Sequence, residues 1–358
     1  MKNILFAFFL LSCIIGFHYP PNSNKDLFII KIDTIYLTFN EIAKPINKVE
    51  LTHAAKFNNK YYCFFSEPEH HQHNQIRHFY IISENGIVEH SIPPPSDITE
   101  IKYLDLFVKD DTIFLKYDHR RTTYFLNSEL LSWIPTDEAD DVIYEDNQYY
   151  ATFLSSGEWG YVTWFKDKQT QKEYELYSYG MFINKIDSTY YITTDNQILQ
   201  IDDPRKMTPR NPREYYQIAK EHGKGLGSQS LVGAQIIFKD STLYNEDSDS
   251  YTQDVLILTS FKHTNELFHL YFDTIMLQVG RLDNSKFVPI QSIDIDGVFT
   301  TYNMGSYRMK IQKDNSQLLI FEPEIPNLYG LIEIKENKIG IRYLKDKIDS
   351  INPRKHYK

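Results

Sequence analysis

The stretch FINKIDSTYYITTDNQILQI, residues 182–201, contains the pattern that decides the fold. Its first half has two runs rich in hydrophobic and aromatic residues, separated by Asp187 and Ser188. Asp and Ser suit tight turns because their side chains hydrogen-bond nearby backbone groups, so the two runs predict a β-hairpin. A further strand is predicted over residues 197–201, and it ends at the sequence Asp202-Asp203-Pro204.

The same hairpin pattern recurs along the chain. The turn pairs are Asn58-Asn59, Asp110-Asp111, Asp146-Asn147, Asp187-Ser188, Asp240-Ser241, Asp273-Thr274 and Asp314-Asn315. A repeat of about 40 to 50 residues, with several strands in each copy, is typical of β-propellers. We therefore predict an all-β fold with a single β-propeller of seven blades, and six blades is the alternative. A β-sandwich with chance turn spacing stays open as a further alternative.

We expect the propeller domain to cover residues 27–358. The run at residues 27–37 is expected to complete the last blade and close the ring, because closure removes exposed sheet edges. One short helical insertion is predicted over Asn211–Gly223, where Asn211 suits the N-cap, Pro212 the first turn and Gly223 the end of the helix.

Composition and charge agree with a folded β protein and argue against nucleic-acid binding. The chain has 358 residues, of which 27 are Tyr and 23 are Phe, residue types that favour strands. The formal net charge is -10, and no basic stripe is present to neutralise phosphates. We therefore expect no nucleic-acid partner.

The N-terminus has the features of an export signal. Residues 1–16 combine an early positive charge with an apolar run that is too short to span a bilayer. The sequence Leu10-Leu11-Ser12-Cys13 resembles the lipobox of bacterial lipoproteins, which implies lipidation at Cys13; ordinary cleavage near Gly16 is the alternative. Residues 17–26 form a polar linker. The prediction is an exported protein, periplasmic or anchored to the outer membrane, with an N-terminal lipid as its membrane contact.

Residues 141–204 carry a resemblance to a known group of proteins. The matching residues are Gly157-Glu158-Trp159-Gly160, Trp164-Phe165-Lys166-Asp167-Lys168, Thr170, Lys172-Glu173-Tyr174, Tyr190-Tyr191-Ile192-Thr193 and Ile201-Asp202-Asp203-Pro204. This region resembles uncharacterised exported β-propeller-like proteins of Gram-negative bacteria. The resemblance implies a propeller fold and export, and it implies no activity.

Three tryptophans are the candidate ligand-binding residues. Trp133, Trp159 and Trp164 could offer aromatic platforms to a sugar or a peptide segment. Packing inside the blades is the alternative for each of them. Cys63, in an aromatic run, is predicted to be a buried core residue rather than a nucleophile.

No cofactor or metal is predicted. The histidines at 70, 71 and 73 and the acidic runs 137–141 and 246–249 are interpreted as solvated loops, and no catalytic motif is present. The sequence therefore predicts an exported cell-envelope binding or scaffold protein whose ligand is a glycan or a protein. The alternative is a polysaccharide-acting enzyme, a glycosidase or lyase, which needs a pair of converging carboxyl groups.

Overall fold

The computed structural model establishes an all-β fold, as predicted from the sequence. It describes residues 27–39, 49–66, 77–98, 104–117, 122–137, 142–155, 161–178, 180, 182–210, 231–240, 243–245, 250–252, 254–273, 275–295, 310–311, 316–323, 325 and 327–346. Within these residues the helical structure is a single 3-10 turn at Pro204–Lys206. The helix predicted over Asn211–Gly223 lies outside them.

Among the described residues the strands form six larger antiparallel sheets, named A to F in chain order, and one separate two-stranded hairpin. The first strand β1 (Ile29–Phe39) pairs in parallel with both F and A and joins them into one nine-stranded sheet. Sheet A contains β2 (Glu50–Phe57), β3 (Lys60–Ser66), β4 (Arg77–Ser83) and β5 (Ile87–Ile92). Sheet B contains β6 (Leu104–Lys109), β7 (Thr112–Tyr117), β8 (Thr122–Asn127) and β9 (Ser132–Thr136). Sheet C contains β10 (Val142–Glu145), β11 (Tyr149–Ser155), β12 (Tyr161–Asp167) and β13 (Glu173–Leu176).

The second half of the chain repeats this plan with one insertion. Sheet D contains β14 (Phe182–Ile186), β15 (Thr189–Thr193), β16 (Gln197–Ile201) and β18 (Gln235–Lys239), and the intervening β17 (Thr208–Pro209) pairs with the edge of sheet C. The strands β19 (Leu243–Asn245) and β20 (Ser250–Thr252) form a separate hairpin. Sheet E contains β21 (Leu256–His263), β22 (Glu266–Phe272), β23 (Leu277–Asp283) and β24 (Lys286–Ile293). Sheet F contains β25 (Lys310–Ile311), β26 (Gln317–Phe321), β27 (Leu328–Lys335) and β28 (Lys338–Asp346).

The sequence contains seven copies of the hairpin pattern, whereas the described residues form the six larger sheets A to F. The position of the turn between the first and second strands of a sheet explains this difference. The turn at Asp240 does not form a hairpin, because β18 before it pairs with β16 and β19 after it pairs with β20. The turn at Asp273 joins the second and third strands of sheet E, so it does not open a new sheet. Sheet E opens instead at Thr264 and Asn265, which have positive φ angles of 46° and 62°.

Among the described residues, hydrophobic clusters join every consecutive pair of sheets except B and C. Representative buried pairs are Phe64 with Leu106 (A with B), Phe165 with Ile192 (C with D), Ile198 with Ile257 (D with E), Leu270 with Ile332 (E with F) and Leu331 with Tyr61 (F with A). Cys63 is fully buried in the cluster between F and A, as expected for a core residue, and this burial raises the pKa of its thiol.

The first strand closes the sheets at the two ends of the chain. Strand β1 runs parallel to β28 from the pair Ile29 and Lys338 to the pair Leu37 and Asp346. Its last two residues, Thr38 and Phe39, then pair with β5 of sheet A. The prediction that this run pairs with the last sheet is confirmed.

Charged side chains reinforce the junction between sheets F and A. Glu333 of β27 accepts hydrogen bonds from Lys56 Nζ at 2.8 Å and from the Tyr61 hydroxyl of sheet A. The guanidinium of Arg342 lies beside the same carboxylate, with Nε 3.6 Å from Oε1, and it also pairs with Asp33 of β1. One acidic side chain therefore contacts the first and the last sheets together.

Candidate functional site

The predicted site residues are not brought together by the structure. Cys13 and Trp159 lie outside the described residues, so lipidation at Cys13 stays a prediction. Trp133 is on sheet B, where its ring packs edge-on against Phe79 with centroids 4.9 Å apart. Trp164 is on sheet C, and the guanidinium of Arg210 lies 3.8 Å from the centre of its ring. Both described tryptophans thus pack within the protein, and ligand contact by any of the three stays a prediction.

A charged cleft between sheets C and D is the candidate functional site. Its volume is about 270 Å³, and its lining comes from three turns, with residues Gln148, Tyr149, Lys185, Asp187, Ser188, Tyr190, Asp202, Asp203, Pro204 and Arg205. Two of these turns connect the first and second strands of C and of D, and the third follows the third strand of D. In an antiparallel sheet these connections lie at the same end of the strands, so all three turns can line one cleft.

Asp146 holds the cleft's two hairpins together. Its Oδ1 accepts hydrogen bonds from the backbone amides of Gln148 at 2.8 Å and Tyr149 at 2.7 Å, which form the turn in sheet C. Its Oδ2 accepts hydrogen bonds from Lys185 Nζ at 2.7 Å and the Tyr190 hydroxyl at 2.8 Å, both from sheet D. The carboxylate therefore fixes the position of four lining residues, Gln148, Tyr149, Lys185 and Tyr190.

These contacts determine the protonation of the groups around Asp146. Burial alone would raise the pKa of Asp146, but the hydrogen bonds from Lys185, the two backbone amides and Tyr190 outweigh it and hold the pKa well below its usual range. Burial, and then the hydrogen bond to Asp146, raise the pKa of Tyr190. Burial, together with the nearby charge of Asp203, raises the pKa of Tyr149 to about 12. At neutral pH the site holds a carboxylate and protonated phenols.

Asp203 and Arg205 form a second ion pair in the lining of the cleft. Asp203 caps the 3-10 turn by accepting from the Arg205 amide at 3.0 Å. Its two carboxylate oxygens also accept from the Arg205 guanidinium, at 2.9 Å from Nε and 3.0 Å from Nη2. The hydrogen bond from Arg205 lowers the pKa of Asp203.

The aromatic rings of the cleft are packed against one another. The Tyr149 and Tyr190 rings are 1% and 2% exposed, and their centroids lie 5.9 Å apart in an edge-to-face arrangement. Phe165 contacts Tyr190 from below with a centroid distance of 5.4 Å, and Lys185 Nζ lies 4.7 Å from the centre of the Tyr190 ring. The ring faces of the tyrosines are therefore covered by neighbouring side chains rather than open to the cleft.

The arrangement is suited to binding polar groups rather than to moving protons. The two carboxyl groups of the site whose pKa is shifted, Asp146 and Asp203, are both shifted downward and away from neutrality. A general acid needs a pKa near the working pH. Asp195 has a pKa that burial raises, but it lies in the turn between β15 and β16, at the other end of sheet D.

The sequence does not indicate this cleft directly, although the turns that form it are predicted from it. Asp146, Asp187 and the sequence 202–204 were each expected at strand ends, and each is there. The positive charges of the cleft come from Lys185 and Arg205. Their role could not be predicted from the sequence, because scattered lysines and arginines are common on protein surfaces. The recurring spacing of the first hairpin turns is the feature that could have placed two of the three segments side by side.

No group of three or more His, Cys, Asp or Glu side chains that could hold a metal ion occurs among the described residues. The histidines 70, 71 and 73 and the acidic run 246–249 lie outside those residues. No helix in the described part of the chain is long and apolar enough to cross a membrane.

Comparison with known proteins finds similarity only at the level of solved structures. No protein-family model matches the chain, and no curated protein matches it. A Bacteroides fragilis protein, named provisionally as an exported protein, is 12% identical over 85% of this chain and 88% of its own, with a TM-score of 0.34. A Bacteroides caccae protein of unknown function is 8% identical over 75% of this chain and 95% of its own, with a TM-score of 0.26.

An enzyme is also among the similar structures. The fructan 1-exohydrolase IIa of Cichorium intybus is 10% identical over 86% of this chain and 60% of its own, with a TM-score of 0.28. Values this low assign neither a fold nor an activity to this chain.

Proposed function

We propose that this protein is an exported binding protein of the cell envelope, built as a six-bladed propeller, and that its ligand binds in the cleft between sheets C and D. The ligand belongs to the two classes expected from the sequence, glycan or protein. Export and an N-terminal lipid at Cys13 are part of the proposal. Labelling with a fatty-acid analogue, present in the wild type and absent in Cys13→Ser, tests the lipid anchor.

The propeller assignment is supported by the order in which the sheets pack. Each sheet is built on four antiparallel strands that follow one another closely in the chain, with β17 added to the edge of C. Every consecutive pair other than B and C shares a cluster of buried residues among those described. The last sheet packs against the first, and β1 pairs with both. A sandwich of two sheets would not require each unit to contact the next one along the chain.

The observation that carries the binding function is the fixed chemistry of the cleft. Both cations of the lining are held by carboxylates at 2.7 to 3.0 Å, and the phenols keep their protons at neutral pH. Such a site is organised before the ligand arrives, which reduces the entropy lost on binding. Turns presented by a rigid β framework are common positions for binding sites.

A polysaccharide-acting enzyme is the second candidate, and one observation favours it. Burial raises the pKa of Asp195, as a general acid requires. Release of reducing ends from a polysaccharide panel by the wild type, with loss in Asp195→Asn, would favour this alternative. No release from the panel would leave the binding function in place.

The binding function is tested by filling the cleft. Ser188 is exposed in the turn of the second hairpin, and Ser188→Trp is expected to occupy the cleft and weaken binding at least about tenfold, because a ligand cannot share the volume. Glycan and peptide arrays identify ligands of the wild type, and calorimetry then measures the two dissociation constants. The matched control is Glu129→Trp, in an exposed turn of sheet B.

Both variants should keep the wild-type circular dichroism spectrum, so that a lost interaction is not a loss of fold. Equal affinity of Ser188→Trp and the wild type for every array ligand would contradict the assignment of the cleft. Absence of any ligand on both arrays at high protein concentration would contradict the binding function itself.

A further inference from the structure

The third turn of the cleft belongs to a segment that crosses from sheet D to sheet C. Residues 202–210, which we call the strap, follow β16 of sheet D directly. The first four residues of the strap line the cleft, and its last part forms β17. Strand β17 pairs with β13 of sheet C, Thr208 with Glu175 and Pro209 with Tyr174. One wall of the cleft is therefore attached to sheet D at its start and to sheet C at its end.

Arg210 fastens the end of the strap to sheet C by three contacts. Its backbone amide donates to the Glu173 carbonyl at 2.9 Å, and its Nη1 donates to the Glu173 carboxylate at 2.8 Å. Its guanidinium lies 3.8 Å from the centre of the Trp164 ring. The Arg210 and Glu173 side chains are only 16% and 22% exposed, so salt screens this pair less than a surface pair. A planar guanidinium can stack on an aromatic ring and bind a carboxylate at the same time.

Met207 links this anchor to the wall of the cleft. Its side chain is buried in the hydrophobic cluster between C and D, together with Tyr149 and Phe165 of sheet C. Its amide donates to the Pro204 carbonyl at 3.0 Å and closes the 3-10 turn that lines the cleft. The next residue, Thr208, is the first of β17. A displacement of β17 therefore acts directly on the residue that closes the turn.

We infer that Trp164 and Arg210, neither of which lines the cleft, are positioning residues that hold the third wall of the cleft in place for the ligand. This inference rests on the proposed function and adds residues that act on the same site from outside it. Trp164 contributes to binding through Arg210 and not by contact with the ligand. A wall that is already ordered loses less conformational entropy when the ligand binds than a mobile one does.

A purely structural role of the same contacts makes a different prediction. If the stack and the ion pair only stabilised the edge of sheet C, their loss would loosen β17 and leave the turn at residues 203–207 unchanged. If they hold the wall, the turn loosens together with β17, because short contiguous segments open as cooperative units.

Hydrogen–deuterium exchange of the free protein, with fragmentation to single amides, separates these two roles. Arg210→Ala removes the stack and the ion pair, and Trp164→Leu removes the stack alone. We expect the amides of Lys206 and Met207 to exchange at least about tenfold faster in Arg210→Ala, and to be accelerated less in Trp164→Leu.

The matched control for the exchange experiment is Arg281→Ala in sheet E. Arg281 Nη1 lies 3.9 Å from the carboxylate of Glu266, and both side chains are more than half exposed. A surface pair of this kind contributes little to stability, so the control should leave the exchange of Lys206 and Met207 unchanged.

The glycan and peptide arrays measure the effect on binding. For ligands that bind the wild type and are lost in Ser188→Trp, we expect the half-saturating concentration of Arg210→Ala to rise at least about threefold, because binding must first order the wall. The rise should be smaller in Trp164→Leu, and Arg281→Ala should match the wild type. All variants should keep the wild-type circular dichroism spectrum, so that a weaker signal is not a loss of fold.

Two results would overturn the inference. Faster exchange confined to residues 208–210 in Arg210→Ala would show that the contacts stabilise only the edge of sheet C. Wild-type affinity of Arg210→Ala for ligands that Ser188→Trp loses would show that the wall does not need the anchor, and the cleft would remain the binding site. If no array ligand binds the wild type, the proposed function is wrong, and the exchange of Lys206 and Met207 still decides whether Trp164 and Arg210 hold this wall.

Discussion

Asp146 shows how one residue connects local structure to the site. It begins as a turn residue whose Oδ1 accepts two backbone amides of its own hairpin. Its second oxygen then binds Lys185 and Tyr190 of the next sheet. The turn could be predicted from the pair Asp146-Asn147, because the mechanism is local. The second set of contacts could not, since it exists only after sheets C and D pack together.

Replacing Asp146 by Asn tests this connection. Asn keeps an oxygen that can form the turn but loses the charge that pairs with Lys185. We expect the free energy of unfolding at neutral pH to fall by about 2 kcal/mol, the size of a hydrogen bond to a charged group in a partly buried site. Urea denaturation of the wild type and Asp146→Asn measures the difference. The control Asp283→Asn, at the exposed end of β23, should change the stability by less than about 0.5 kcal/mol.

The same pair of proteins gives a pH dependence with a definite sign. The folded-state pKa of Asp146 is depressed below its ordinary value of 3.8, so its contribution is complete above that value and is lost as the pH falls toward the depressed pKa. The stability difference between the wild type and Asp146→Asn should therefore shrink below about pH 4. A difference that grows on acidification would contradict the ion pair.

At the level of the element, β1 is the strand that joins the first and the last sheets. Ile35 and Leu37 point into the core between sheets F and A and are 8% and 0% exposed, whereas Tyr36 between them is 49% exposed. Leu37→Ala should lower the free energy of unfolding by about 3 kcal/mol, in the range for buried leucines, and Tyr36→Ala by less than about 1 kcal/mol. Urea denaturation compares the two. Similar small losses would show that β1 is not packed in the core.

The hairpins also show which turns can be predicted from neighbouring residues alone. Turns at Asn58-Asn59 and Asp110-Asp111 were predictable because these residue types tolerate the positive φ angles that the turns adopt. The turn at Thr264 and Asn265 was missed, since charged and imidazole side chains at Glu266 and His263 interrupt the apolar pattern on both sides. The prediction of a hairpin turn at Asp240 was wrong. The strand before it, β18, pairs with the earlier strand β16, and the residues around Asp240 do not indicate this pairing.

At the scale of the whole molecule, the number of sheets and the position of the cleft both depend on how the strands pair and how neighbouring sheets pack together. The sequence predicted the strands, the repeating hairpins and the pairing of the first run with the last sheet. It counted seven copies where the described residues form six sheets, because it could not distinguish a turn that opens a sheet from one that continues it. The cleft could not be predicted from the sequence, because the three turns that line it meet only when sheets C and D are packed together.

Hydrogen–deuterium exchange tests most directly whether the ligand binds in the cleft between sheets C and D. Mass spectrometry compares the free wild-type protein with the protein saturated by its tightest array ligand. We expect slower amide exchange in the segments 146–149, 185–190 and 202–205 together, because one ligand covers all three turns. Protection confined to other segments, with these three unchanged, would contradict it.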